Sequence, residues 1–159
     1  MPLIPHPDVI QERLARLPLT TFQAGEAVFL AGSRTDRLLF LRKGTVVVIK
    51  DAVEIARVTQ PNAVFGELSA LLDQPHTADV RALETSQFLV ASAEVLAEDP
   101  FVLLYVTAML ARRLDAANHV LVELKTQLKA GQPSSLIGKT IDKMERLLGP
   151  SVTNLALLI

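Results

Sequence analysis

An α+β protein is predicted: an antiparallel β-roll, of double-stranded jelly-roll-like form, with a short N-terminal helix, a long C-terminal dimerisation helix and a final short helix. Three features of the sequence predict it. An apolar helical face precedes Leu19, a series of short β-rich runs separated by turn residues extends from Leu19 to about Ala91, and a helical period begins at Pro100. With 159 residues and 50% hydrophobic content, the chain can bury one substantial core.

Taken in order, Asp8 and Gln11 have the spacing of a capping box, and Val9, Ile10, Leu14 and Leu17 form an apolar face that ends before Pro18. The strand runs are L-T-T-F, A-V-F-L, R-L-L-F-L, T-V-V-V-I, E-I-A-R-V and Q-F-L-V. Gly25, Gly32, Gly44 and the corner at Lys50-Asp51 supply the turns between them. Phe65 to Val80, F-G-E-L-S-A-L-L-D-Q-P-H-T-A-D-V, interrupts this pattern. It reads as a glycine turn, a short helix over Glu67 to Leu72 led by a carboxylate, and a loop running back into a strand; Val64, Leu71, Leu72 and Val80 are assigned to the core.

From Pro100 onward, Leu103, Thr107, Leu110, Leu114, Ala117, Leu121, Leu124 and Leu128 are spaced alternately four and three residues apart, a heptad seam. Phe101, Leu104, Tyr105 and Ala108 form a second face, expected to pack on the roll. The seam continues beyond what the roll can cover, which favours a homodimer through residues 101–130 over a helix buried in its own domain. Gly131 to Ser135 reads as a hinge. An amphipathic helix follows, with Ile137, Ile141, Met144 and Leu148 in a stripe closed by Gly149-Pro150, and then an apolar tail. The expected division is therefore a domain over 1–130 and a hinge, helix and tail over 131–159, with 134–159 offered to a protein partner.

Composition narrows the chemistry. A net charge of −1 gives no general attraction to nucleic acid or anionic membranes, and the absence of cysteine excludes disulfides, thiolate metal sites and thiol catalysis. The N-terminus lacks the pattern of a secretory signal and no apolar stretch has the length of a membrane span, so a cytoplasmic protein without membrane attachment is expected. Nothing resembles a nucleophile with a base partner, so no catalytic residue is expected. His6, His76 and His119 fall in three separate elements with no H-x-H pair, which sets a cupin-like metalloenzyme far behind a binding protein, and no metal or cofactor is expected.

The segment at Gly66 carries the sharpest signal. Glycine allows close approach of backbone to ligand, and the first amides of the helix at Glu67 carry partial positive charge suited to an anion. Ionised Glu67 accepts hydrogen bonds, as sugar hydroxyls require. A plain strand-to-helix corner explains the same residues, and the motif alone does not choose between them.

Four blocks occur in order: Q-A-G-E-A-V-F-L-A-G, D-R-L-L-F-L-R-K-G-T-V-V-V, F-G-E-L-S-A-L-L and A-R-R-L. Over roughly residues 8–128 the chain thereby resembles the cyclic-nucleotide-binding domain family, of the catabolite-activator type. The resemblance implies that F-G-E-L is a phosphate-binding cassette, with Glu67 on the ribose 2′-hydroxyl and Gly66, Leu68 and Ser69 near a cyclic nucleotide, cAMP or cGMP. It also implies an arginine on the cyclic phosphate nine residues after the glutamate, where this chain has His76. Histidine, with a reference pKa of about 6.5, lacks arginine's permanent planar fork. Three readings follow: His76 gives one hydrogen bond and binding is weak, the pocket takes another ligand, or the pocket is a relic and the chain a dimerisation scaffold. Thr77 offers its hydroxyl or amide to the phosphate, and Arg81 is aimed away by strand alternation. Asn62-Ala63 replaces the family's usual Gly-Asp, with asparagine able to hold the left-handed turn. The residues after Ala130 do not suffice for the DNA-binding domain of that type, so a stand-alone cyclic-nucleotide-sensing module that binds no DNA is expected.

Overall fold

The computed structural model describes residues 3–131. In order, the elements are α1 (Pro7–Leu14), β1 (Leu19–Phe22), β2 (Ala27–Phe29), β3 (Arg37–Lys43), β4 (Val46–Lys50), β5 (Val53–Val58), β6 (Val64–Phe65), α2 (Glu67–Leu72), β7 (Asp79–Ala82), β8 (Ser86–Ser92), α3 (Val95–Glu98) and α4 (Pro100–Gly131). The strands form two four-stranded antiparallel sheets, ordered β1-β8-β3-β6 and β2-β7-β4-β5. The expected fold class holds. The two-residue β6 and the single turn of α3 are too short to carry a period and were not among the predicted elements.

Strand β3 shows how the sequence builds the core. Its Leu38, Leu39, Phe40 and Leu41 are all buried, although successive side chains on a strand face opposite ways. Leu39 and Leu41 join Val28, Phe29, Val46, Ala63, Phe65, Val80 and Phe88 in one hydrophobic cluster. Phe88 meets Phe22 and Phe65 edge-on, with ring centroids 5.6 Å and 6.0 Å apart. On the other face, Phe40 lines a small cavity with Leu14 of α1, Ala91 of β8, Val95 of α3 and Val102 of α4. A strand covered on both sides reads as an unbroken apolar run, which is what R-L-L-F-L is.

The helix termini correct the sequence in phase. The N-cap of α1 is His6, whose Nδ1 accepts from the Asp8 amide at 3.5 Å, because Pro7 takes the first helical position for which its fixed φ is suited. In α4, the residues buried near its start are Val102 and Val106, 3% and 0% exposed, whereas Phe101 and Leu104 are 42% and 39% exposed. Asp99 sets this phase: its Oδ1 accepts from the amides of Phe101 and Val102 at 2.9 and 3.3 Å, with Pro100 opening the helix. Tyr105 from the expected face does reach inward, its hydroxyl donating to the Asn62 carbonyl oxygen at 2.8 Å.

The chain divides into two compact units at Met109/Leu110. Residues 3–109 hold the roll, its helices and the start of α4. In the second unit the described residues continue α4, with Leu110, Leu114, Leu121 and Leu128 half-buried and Ala117 and Leu124 exposed. The hinge, final short helix and apolar tail expected after α4 lie outside the described residues. No helix among the described residues is long and apolar enough to cross a membrane.

Candidate functional site

At Gly66 the chain leaves β6 with φ 89° and starts α2 within one residue. A Cβ there would run into the Arg37 carbonyl oxygen and crowd the Phe29 ring, so both backbone conformation and space demand glycine. Glu67 follows as the first residue of the helix and is 4% exposed, a carboxylate carried into the protein by the same turn. Six residues later the helix stops at Asp73, itself left-handed with φ 47°. Ser69 makes that stop: its hydroxyl donates to the Gln74 carbonyl oxygen at 2.5 Å, and the Gln74 amide donates back to the Ser69 carbonyl oxygen at 3.2 Å.

Leu71 and Leu72, assigned to the core from the sequence, are 43% and 61% exposed, and Leu68 is 43% exposed. Among the residues of α2 only Glu67 is buried, since a six-residue helix on the surface turns little more than one turn inward. Val64 and Val80 are core residues as expected. Thr77 is exposed, ahead of β7.

His76 is buried, at 7% exposed, and is held from three directions. Its amide donates to the Ser33 carbonyl oxygen at 2.9 Å, its own carbonyl oxygen accepts from the Gly32 amide at 2.8 Å, and Nε2 lies 2.9 Å from the Thr35 hydroxyl. The imidazole stacks on the Phe29 ring with centroids 4.1 Å apart and planes 28° from parallel. That ring is the one a Gly66 Cβ would crowd, so a single aromatic side chain separates the glycine turn from the histidine. Burial pushes the His76 pKa below its ordinary value, with Asp36 pulling the other way.

These contacts belong to a longer seam between the β2–β3 loop and the segment from Asp73 to Asp79. The Ala31 amide donates to Asp79 Oδ1 at 2.8 Å, and Arg34 donates to Asp73 Oδ1 and to the Asp73 carbonyl oxygen at 2.9 and 3.0 Å. The Ala31 amide, aided by Arg81, holds the Asp79 carboxyl below the usual carboxylate range against opposing burial. Arg81 is thus engaged with Asp79, at 3.3 Å. Asn62, expected to keep a left-handed turn, has φ 66°.

Of the residues proposed from sequence, the structure brings Gly66, Glu67 and His76 into one neighbourhood; Ser69 closes the helix behind them, and Leu68 and Thr77 are exposed. Phe29, Thr35 and Arg34 were missed. Phe29 carries a signal only as an apolar residue of A-V-F-L, and Thr35 and Arg34 read as loop. Among the described residues no group of three or more His, Cys, Asp or Glu is placed to hold a metal ion.

Comparison with known proteins bears on this cradle. The family model of the cyclic nucleotide-binding domain matches residues 19–98. Glutaminase 1 of Bradyrhizobium diazoefficiens is 41% identical over 76 residues, covering 47% of this chain and 12% of that protein. Among solved structures, cAMP-bound PfPKA-R is 25% identical with a TM-score of 0.55, over 69% of this chain and 37% of that one. The Thermus thermophilus catabolite activator protein superposes with a TM-score of 0.63 at 20% identity, over 92% of this chain and 84% of that one, a likeness of fold. The chain thus spans a small part of the glutaminase and just over a third of the cAMP-bound chain.

Proposed function

The chain belongs to the cyclic nucleotide-binding domain family, and from that premise we propose that it is a regulatory module whose cradle at Gly66, Glu67, Ser69 and His76 takes a cyclic nucleotide, cAMP or cGMP. The observation that carries this reading is the buried Glu67 carboxylate directly behind a glycine whose missing Cβ leaves no slack against Arg37 and Phe29. Burying an ionisable group is costly unless it is paired or hydrogen-bonded, and buried carboxylates cluster where their acceptor oxygens have a use. Here that use is to accept hydrogen bonds from ribose hydroxyls, as the family resemblance implies. A solved structure 25% identical to this chain holds cAMP, which supports the ligand class. The match to a glutaminase covers 12% of that protein, and its named activity is not carried over.

Occupation of the cradle is transmitted through α4. Its seam of Leu103, Thr107, Leu110, Leu114, Ala117, Leu121, Leu124 and Leu128 pairs with a second copy of the chain, and residues 134–159 engage a protein partner. A ligand shifts such a device only by the ratio of its affinities for the two states, so the relevant measurement is differential binding.

The test is calorimetric titration with cAMP and with cGMP up to millimolar concentration, alongside nucleotide analysis of protein purified without added ligand. Saturable binding of either supports the module. A second reading draws on the Phe29 ring, which fills the space between Gly66 and His76 and leaves the imidazole stacked and hydrogen-bonded inside the protein. In that reading the roll binds nothing small and serves as a dimerisation scaffold; absence of heat from both nucleotides, with none copurifying, decides for it.

A further inference from the structure

Resting on the ligand class just proposed, we propose that His76 makes the cradle respond to ligand and acidity together, the imidazole taking up one proton as a phosphodiester seats at the glycine turn across the Phe29 ring from it. The imidazole and the glycine turn lie on the same Phe29 ring, so an anion at the turn is within one side chain of the histidine. The imidazole is buried, and burial disfavours its charged form while the cradle is empty. A neighbouring anion does the reverse, so occupation of the site and protonation of the ring each favour the other.

The charged groups around His76 carry both signs. On the β2–β3 loop, Arg34 is engaged with Asp73 and Asp36 is the acidic neighbour of the ring. On β7, Arg81 is engaged with Asp79, and α2 contributes the acidic Glu67. Arg37, at the start of β3, lines an open groove with Pro18, Thr20 and Ser92. Among them the imidazole is the buried group whose charge changes near neutral pH, so a phosphodiester at the turn gains from a new positive charge on the ring. The Thr35 hydroxyl permits that change without moving the ring, because at 2.9 Å from Nε2 a hydroxyl either donates to the neutral imidazole or accepts from the imidazolium.

The experiment is titration with cAMP between about pH 5.5 and 7.5, the range in which histidine changes charge, in paired buffers of different ionisation heat. Three proteins are compared: wild type, His76→Gln and His76→Arg, with thermal unfolding of each to establish that it is folded. For wild type the expected result is uptake approaching one proton on binding, and affinity that rises on acidification by up to about tenfold per pH unit. Both variants are expected to show no such slope, and His76→Arg to bind more tightly at neutral pH. Wild-type binding with no proton uptake and the same pH profile as His76→Gln overturns the proposal and leaves the nucleotide site standing. Binding by His76→Arg alone also overturns it, since the wild-type imidazole then contributes no charge. Binding by none of the three overturns the nucleotide reading itself.

Discussion

The guanidinium of Arg13 donates to Asp99 Oδ2 at 2.5 Å, joining α1 to the cap of α4 across 86 residues of sequence. The same guanidinium lies 4.4 Å above the Phe101 ring, and the other Asp99 oxygen caps the helix. Asp99→Ala removes the cap and leaves Arg13 without its carboxylate, and is expected to cost about 1–2 kcal/mol in chemical unfolding. Burial by itself raises the Asp99 carboxyl, but the hydrogen bonds from Arg13 and from the amides of Val102 and Phe101 outweigh it and hold the group below the usual carboxylate value. A carboxylate depressed in the folded state contributes stability that is complete above the unfolded value of about 3.9. The difference between wild type and variant should therefore be constant from neutral pH down to about pH 4 and shrink as the pH falls through the folded value. A difference independent of pH would mean that the carboxylate's charge does not matter there.

The hairpin between β4 and β5 turns on Asp51 and Ala52, with φ of 49° and 62°. Two positive φ angles between paired Lys50 and Val53 make the type I′ geometry, in which the second position favours glycine. Ala52→Gly relieves the strained residue and is expected to stabilise the protein by about 0.5–1 kcal/mol, read as a raised denaturation midpoint. An unchanged or lowered midpoint would show that the entropy glycine adds to the unfolded chain outweighs the relief.

Elements whose burial is set locally were legible in the sequence, and contacts set by distant elements were not. R-L-L-F-L announced a strand because both its faces are covered, and F-G-E-L announced its turn because Gly66 alone satisfies the backbone there. Leu71 and Leu72 misled, because the helical spacing of apolar residues reports a face without saying whether anything covers it. In α4 the period located the helix, but its phase depended on Asp99 at the N-terminus, which a heptad count ignores. The surroundings of His76 were invisible for a different reason: Thr35, its hydrogen-bond partner, stands 41 residues away in a loop with no period.

Gly66→Ala meets two obstacles at once. The residue must hold φ 89°, and its Cβ must enter space occupied by the Arg37 carbonyl oxygen and the Phe29 ring. The backbone oxygen belongs to a paired strand and does not retreat as a flexible side chain would. The expected loss is at least about 1–3 kcal/mol, with nucleotide binding abolished in the protein that still folds. Wild-type stability in the variant would mean that the turn relaxes freely, and the rigid cradle would have to be abandoned.

His76 also gives the unliganded protein a characteristic dependence on pH. Burial lowers its pKa in the folded state, with Asp36 offsetting part of the effect, while the unfolded chain titrates near about 6.5. The unfolded state therefore binds more protons in the interval between the two values, and stability rises with pH across it. The contribution is complete above about pH 6.5 and is shed as the pH falls through that value toward the folded one. Urea unfolding without nucleotide should show wild type losing more stability than His76→Gln between about pH 7.5 and 5.5. Thr35→Val adds a control: it removes the side-chain partner of Nε2, costs about 1 kcal/mol at neutral pH, and leaves the burial that shifts the titration in place. Parallel profiles for wild type and His76→Gln would mean that the ring is solvated in solution, and the clamp between the β2–β3 loop and the cassette would then rest on its backbone bonds, the Ala31–Asp79 bond and the Arg34–Asp73 pair.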